Sequence, residues 1–148
     1  MRLRLYLASV ISAYVDARLP ERQRATLAFW ERLDGYDVAI SELPLTEARA
    51  TGDAALRQRM INLVDDFLVL PEREEARQLA REYVGRGVFS AATALDALHV
   101  AIAIAARQDM LVSWNFRHLV NRRRRALVNE VNGLAGYPAI EILAPPEV

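Results

Sequence analysis

Three polar side chains stand where the sequence pattern predicts either a buried helix or the end of a strand. Asp96 interrupts the apolar stretch at residues 91–106, where a buried carboxylate is costly unless a cation or an ion pair compensates it. Glu47 follows a predicted strand by a few residues, and Asn115 directly follows another. Because ligands of open parallel sheets bind beyond the carboxyl ends of the strands, these residues can meet at one edge. Two carboxylates and an amide oxygen there would suit Mg²⁺ or Mn²⁺.

Each of these residues also has a purely structural explanation. An arginine or a helix N-terminus could compensate Asp96, and Asn115 could be a turn residue. Glu42 lies nearer the strand than Glu47 and competes with it as a ligand, although such residues are more often surface charges. His99, one turn after Asp96 on the same helical face, is more often a hydrogen-bonded packing residue than a ligand.

Positive charge is concentrated after Asn115, where Arg117 and His118 precede a run of consecutive arginines. Such a run is usually a solvated helix face, but beside a metal cleft it would neutralise the phosphates of a nucleic acid. Trp114 could stack on a base, although a Trp beside a strand end is more often part of the core. The arginines considered as nucleic-acid-binding residues are Arg117, Arg122, Arg123, Arg124 and Arg125.

Strand and helix signals alternate along the chain, which predicts an α/β fold: a three-layer α/β/α sandwich around a mainly parallel sheet. With 148 residues, the chain has the size of a single domain, residues 1–148. Strands are predicted at residues 3–7, 36–40, 67–70, 110–113 and 139–143. A short helix is predicted to end at residue 14, and longer ones are predicted at residues 20–33, 44–50, 56–65, 71–85, 90–107 and 116–134.

The composition excludes several kinds of site. There is no Cys, which excludes disulfides, zinc–thiolate sites and Cys nucleophiles and fits a cytoplasmic protein. Nineteen basic residues, all of them Arg, balance nineteen acidic residues, so a nucleic acid must be met by a local patch. The first 15 residues could pass for a secretory signal, but a buried strand leading into a helix is the stronger interpretation. We expect no membrane span, because no apolar stretch is long enough.

The motifs around these residues, taken together, resemble the PIN-domain nuclease family, which includes the VapC-type toxins of bacterial toxin–antitoxin pairs. The motifs are Leu5-Tyr-Leu, Ser9-Val-Ile-Ser-Ala-Tyr14, Ile40-Ser-Glu-Leu-Pro-Leu-Thr-Glu47, Asp96-Ala-Leu-His-Val-Ala101 and Ser113-Trp-Asn-Phe116. None is specific alone, but their order, spacing and predicted contexts match over essentially the whole chain. The resemblance implies acidic side chains that hold one or two Mg²⁺ or Mn²⁺ ions, which activate a water to attack an RNA phosphodiester.

The resemblance also implies roles for individual residues by their position. Glu47 and Asp96 correspond to metal ligands, and Asn115 has an amide where the family has a later acidic ligand. Ser9 matches a hydroxyl of the family's first-strand motif. Glu47, Asp96, Asn115 and Ser9 are therefore the expected catalytic residues. The expected partners are an RNA substrate, a cognate antitoxin and a second copy of the chain in a homodimer. The arginines at 117 and 122–125 are then the expected RNA-binding residues.

The sequence departs from the family at the end of the first strand. The family has Asp, then Thr or Asn, then Ser, whereas this chain has only Ala8-Ser9, one residue short and without the Asp. Asp16 lies about two helical turns beyond Ser9, too far to replace that carboxylate. The alternative function is therefore a weakened PIN domain that binds RNA or a partner protein without cleavage. A phosphoacceptor receiver domain, a third class, would need acidic residues after the first strand.

Overall fold

A computed structural model describes residues 2–148 and contains one five-stranded sheet. Its strands are β1 (Arg4–Leu7), β2 (Asp37–Ser41), β3 (Leu68–Leu70), β4 (Met110–Val112) and β5 (Glu141–Leu143). The strand order is β3-β2-β1-β4-β5, and every pairing is parallel. The register places Leu5 of β1 opposite Val38 of β2 and Met110 of β4. The predicted parallel sheet is confirmed.

Seven α-helices cover the two faces of the sheet. They are α1 (Ile11–Val15), α2 (Pro20–Glu31), α3 (Glu42–Arg49), α4 (Ala54–Leu63), α5 (Glu74–Gly85), α6 (Ala94–Ala105) and α7 (Arg122–Leu134). Residues of α1 to α4 pack in one hydrophobic core, and residues of α5 to α7 pack in another on the opposite face. The three-layer α/β/α architecture predicted from the sequence is therefore confirmed. Among residues 2–148, no helix is long and apolar enough to cross a membrane.

The central strand β1 is buried on both faces. Leu5 and Leu7 pack in the core with α1 to α4, whereas Tyr6, between them in sequence, packs in the core with α5 to α7. All three side chains are completely buried, because successive side chains of a strand point to opposite faces and helices cover both. Tyr6 therefore carries a hydroxyl group into the interior.

Two predicted helices begin later than the sequence pattern indicated. The helix predicted from residue 116 begins only at Arg122, where the side chain of Asn121 caps it by accepting a hydrogen bond from the N–H of Arg124. The preceding segment turns on itself, because the carbonyl of Asn115 accepts from the N–H groups of Leu119 and Val120. Likewise, α5 begins at Glu74 instead of residue 71.

The ends of other elements shift by a few residues for local reasons. The helix predicted from residue 44 begins at Glu42, since Ser41 caps it through its side-chain oxygen. The helix predicted from residue 90 begins as a 3-10 turn, Ala91–Thr93, before α6. The strands are mostly shorter than predicted, and β5 is Glu141–Leu143. These shifts leave Glu47 in α3 and Asp96 in the first turn of α6.

Candidate metal site and basic groove

The carboxyl ends of β1 and β4 form the edge at which the candidate residues lie. Strands β2 and β3 extend the sheet to one side of β1, and β4 and β5 extend it to the other. A crevice opens at such a reversal, because the connections leave on opposite faces of the sheet. The N–H of Trp114 donates to the carbonyl of Ser9 over 3.1 Å, which joins the segments that follow the two strands. Ser9 and Asn115 therefore lie at the same edge.

Asn115 and Asp96 are in direct contact. The amide nitrogen Nδ2 of Asn115 donates to Oδ1 of Asp96 over 3.3 Å, and Oδ1 of Asn115 accepts from the N–H of His118 over 2.9 Å. The backbone donor of His118 fixes the orientation of the amide, because a flipped amide would bring two donors together. Asn115 thus presents its N–H group, and not its oxygen, to Asp96.

Asp96 is partly buried and has no ion-pair partner among residues 2–148. Burial raises the pKa of the Asp96 carboxyl above its ordinary value, and the charges of His118 and Arg124 and the hydrogen bond from Asn115 oppose that rise. The guanidinium of Arg124 donates instead to the carbonyl of Val88. Compensation of Asp96 by a salt bridge with an arginine is therefore not observed in this part of the chain. The other structural explanation, a helix N-terminus, agrees with the position of Asp96 in the first turn of α6.

Glu47 borders the first-strand motif. Its side chain is exposed and lines a cavity of about 90 Å³ together with Ala8, Ser9 and Ser12. Burial raises the pKa of the Tyr6 phenol, and the negative charge of Glu47 adds to that rise. The competing residue Glu42 forms a surface salt bridge with Arg49, 3.0 Å between Oε2 and Nη1.

A buried polar chain connects the helices that carry Glu47 and Asp96. The hydroxyl of Tyr6 lies 2.7 Å from Oγ of Ser41, the N-cap of α3, and 2.7 Å from Nδ1 of His99 in α6. Burial lowers the pKa of His99 to about 4, so the imidazole is neutral at pH 7. His99 is therefore a hydrogen-bonded packing residue, which is the more common role of a histidine on the buried face of a helix.

Sequence reasoning did not identify Tyr6 as part of this arrangement. The only signal was a Tyr between two leucines of a predicted buried strand, since a buried phenol requires a hydrogen-bond partner. Its partners Ser41 and His99 are distant in sequence and meet Tyr6 only in the folded sheet.

The residues present offer a hard cation a sparse set of ligands. Within residues 2–148, no three His, Cys, Asp or Glu side chains are close enough together to hold a metal ion. The available oxygens are the carboxylates of Glu47 and Asp96 and the hydroxyl of Ser9. Magnesium commonly binds one or two carboxylates and completes its shell with waters and substrate phosphates, so the chemistry of these donors suits a weak site if Glu47 and Asp96 converge. Metal binding by Glu47, Asp96 and Asn115 stays a prediction.

Asp16 does not supply the missing first-strand carboxylate. Its two carboxylate oxygens accept from the backbone N–H and the guanidinium of Arg18, with the closest contact at 2.9 Å. It borders a second cavity of about 90 Å³, which it shares with Ser9, Ser12 and Trp114. The Arg18 contacts leave the ligand set without a third free carboxylate.

A larger cavity, here called the basic groove, is connected to Asp96 by hydrogen bonds through Asn115 and the lining residue His118. It has a volume of about 770 Å³ and is lined by the 87–93 segment, the turn before α7 and the first residues of α7. Arg125 forms a salt bridge with Glu147 over 3.3 Å, and the groove lining includes neither Arg122 nor Arg125. The groove residues that carry charge or an aromatic ring are Phe89, Phe116, Arg117, His118, Arg123 and Arg124.

Trp114 is a packing residue at the start of this segment. Its indole N–H donates to Oγ1 of Thr26 over 3.0 Å, and the guanidinium carbon of Arg22 lies 4.9 Å from the centroid of its ring. Its side chain contacts both hydrophobic cores. These contacts support a packing role for Trp114 and not base stacking.

Comparison with known proteins shows a shared fold at low sequence identity. No protein-family model matches the chain, and no curated protein matches it. A chain of the crystal structure of VapBC2 from Rickettsia felis, bound to a DNA fragment from their promoter, superposes with a TM-score of 0.60. The match covers 96% of this chain and 98% of that chain, at 15% sequence identity. The fold expected from the resemblance to VapC-type proteins is therefore confirmed.

Proposed function

We propose that this protein is a cytoplasmic ribonuclease of the PIN type that depends on a divalent metal. The observation that carries the proposal is the position of Asp96, a partly buried carboxylate without a salt-bridge partner in residues 2–148, beside a groove lined by arginines. A carboxylate kept free next to phosphate-binding cations is suited to the site of phosphodiester cleavage.

The side chains have separate roles in this proposal. Glu47 and Asp96 would hold Mg²⁺ or Mn²⁺, which supplies Lewis acidity to the scissile phosphodiester and the attacking water. Asn115 holds the Asp96 carboxylate in place through its amide N–H. Ser9, which lines the Glu47 cavity, offers a neutral oxygen at the same edge. Arg117 and Arg123 bind the phosphates of the RNA strand along the basic groove.

The protein would act as the toxin of a toxin–antitoxin pair and form a homodimer. Support for an antitoxin partner comes from the shared fold with a chain of VapBC2, a complex bound to a DNA fragment from its own promoter. The partner would be a small DNA-binding protein encoded beside this chain. Copurification of the two coexpressed proteins would test the pairing, and light scattering of the chain alone would test the homodimer.

A second candidate function is an RNA-binding PIN domain that does not cleave. It is favoured by the neutral Ala8 where the family has Asp and by the amide of Asn115, which donates to Asp96. Each anionic oxygen that is missing lowers the affinity for a hard dication. Under this function the basic groove would still bind RNA, but added metal would not produce cleavage.

A cleavage assay separates the two functions. A fluorogenic RNA is incubated with the protein in Mn²⁺ and, in parallel, in EDTA. For the ribonuclease we expect cleavage only with Mn²⁺, loss of cleavage in Asp96→Asn, and unchanged cleavage in Glu42→Gln, whose carboxylate pairs with Arg49 at the surface. RNA binding without any cleavage would favour the second function. If the protein neither bound nor cleaved RNA, both candidate functions would be wrong.

A further inference from the structure

An exposed aromatic ring stands among the cations of the basic groove. Phe116 keeps 49% of its surface exposed, whereas Phe29 and Phe89 are buried. Its ring forms an edge-to-face pair with Trp114, with the centroids 6.1 Å apart, so Phe116 is held by a residue packed against the core. A single exposed apolar side chain is ordinary on a protein surface. What distinguishes Phe116 is its place in a concave surface beside positive charges.

Two guanidinium groups in this groove are free to bind a ligand. Arg117 and Arg123 are exposed, and neither forms a salt bridge with a carboxylate of residues 2–148. Arg124 differs, because its guanidinium donates to the carbonyl of Val88 and covers the ring of Phe89 at 4.4 Å. In this groove, Arg124 is therefore fixed as part of the wall. Arg117 and Arg123 are free cations in the same lining as the exposed ring of Phe116.

We propose that Phe116 stacks on an unpaired base of the RNA strand that the basic groove binds. The inference rests on the proposed function for the choice of RNA, and it adds the residue that holds a base of the strand. Single-strand sites combine cations that follow the backbone with aromatic side chains on which bases stack. A base inside an A-form duplex is already stacked on both faces and cannot reach Phe116.

An acidic protein segment is the other ligand whose charge would suit the groove. Arginines alone would serve that partner, which gains little from an aromatic ring left open to solvent. The groove also connects to Asp96 through Asn115, which donates to that carboxylate and accepts from the N–H of His118, a residue of the groove lining. A strand held by Phe116 and Arg117 would thus pass the proposed site of cleavage. Stacking makes no hydrogen bonds to the edges of the base, so the groove should have little sequence preference.

Binding measured without metal tests the proposal separately from catalysis. The probe is a fluorescein-labelled oligouridylate of about 12 nucleotides, within the range of single-strand sites, and the comparison is a blunt duplex of the same length. Anisotropy is recorded in EDTA for the full chain, for Phe116→Ala and for Phe116→Tyr. Leu134→Ala serves as the control, because Leu134 is 66% exposed and lies outside the groove.

We expect the oligouridylate to bind at least about tenfold more tightly than the duplex, with a loss of about tenfold in Phe116→Ala. Phe116→Tyr should keep the affinity, and Leu134→Ala should not change it. The salt dependence should be the same in Phe116→Ala as in the native chain, because stacking releases no counterions. Equal binding of the duplex, or an unchanged Phe116→Ala, would overturn the proposal.

Two further outcomes separate a failure of base stacking by Phe116 from a failure of the proposed ribonuclease function. If the native chain bound neither RNA, the proposed function itself would be wrong. If a poly-glutamate peptide displaced the oligouridylate at similar concentration and bound Phe116→Ala equally well, the groove would be a docking surface for an acidic protein. That result would overturn the single-strand assignment.

Discussion

The hydroxyl of Tyr6, on the central strand, lies 2.7 Å from Nδ1 of His99, on α6, and both side chains are buried. The same hydroxyl lies 2.7 Å from Oγ of Ser41, which caps α3. Because α3 carries Glu47 and α6 carries Asp96, one phenol connects the helices that hold both candidate metal ligands. Ser41 Oγ also accepts from the N–H of Leu43 over 3.3 Å. The chain of hydrogen bonds is therefore complete from the helix cap to the imidazole.

Replacing Tyr6 with Phe should destabilise the protein. The substitution removes one hydroxyl and leaves Ser41 and His99 as buried groups without that partner, which costs roughly 1–3 kcal/mol for each unsatisfied group. Urea unfolding monitored by circular dichroism would measure the change. Tyr14→Phe is the matched control, since the Tyr14 hydroxyl makes no hydrogen bond within residues 2–148. Equal stability of Tyr6→Phe and the native chain would contradict a structural role for the hydroxyl.

The burial of neutral His99 should make stability depend on pH. Its folded-state pKa of about 4 lies below the ordinary histidine value of 6.5, so the unfolded chain takes up the proton first as pH falls. The stabilisation is therefore complete above about pH 6.5 and is lost progressively toward pH 4, by about 3 kcal/mol in total. Unfolding free energies of the native chain and of His99→Gln, measured across this range, should diverge with pH. Parallel curves would exclude His99 as the cause.

Asp96→Asn should leave the folded protein as stable as the native chain or more stable at neutral pH. Burial raises the pKa of Asp96, so the folded state holds the charged carboxylate unfavourably, and the neutral amide removes that cost. The advantage should shrink in acid, where the native carboxyl is protonated. Thermal unfolding at neutral and acidic pH would record both effects. A collapse of the melting temperature would instead identify Asp96 as a structural residue.

The arginine run should divide into residues that bind RNA and residues that do not. Arg123 lines the basic groove, whereas Arg125 pairs with Glu147. Arg123→Gln should weaken RNA binding and lower the slope of log affinity against log salt by about 0.7, the value for one phosphate of a single strand. Arg125→Gln should leave the slope unchanged. If all four residues at 122–125 are replaced by Gln without a change of slope, the run is a solvated face.

Restoring the missing carboxylate should strengthen metal binding. The change is Ala8→Asp with a Thr inserted after it, which rebuilds the family's first-strand motif at the edge near Ser9 and Asn115. A hard dication gains affinity from each added anionic oxygen, so Mn²⁺ should bind more tightly in calorimetry. RNA cleavage should rise, and it should be lost again when Asp96→Asn is added. No gain in either measurement would favour the binding-only function.

The sequence alone was sufficient to predict the α/β class, the parallel sheet and the positions of Glu47 and Asp96 on helices. These follow from local patterns, because strand-length apolar runs alternate with amphipathic helices and caps such as Ser41 mark where helices begin. The boundaries near residue 116 were not predictable in this way. The apolar spacing continues into α7, and the hydrogen bonds of Asn115 that delay the helix form only in the folded turn.

Tertiary structure alone determined which polar groups share a site. The contact between Asn115 and Asp96 and the chain from Ser41 through Tyr6 to His99 join residues on different elements of the sheet and its helices. Their geometry depends on strand order and helix packing, which local sequence patterns do not encode. The same holds for the arginines. Adjacent in sequence, Arg123, Arg124 and Arg125 separate into a free groove cation, a cation that shapes the wall and a salt-bridge partner, because helical rotation turns each toward different surroundings.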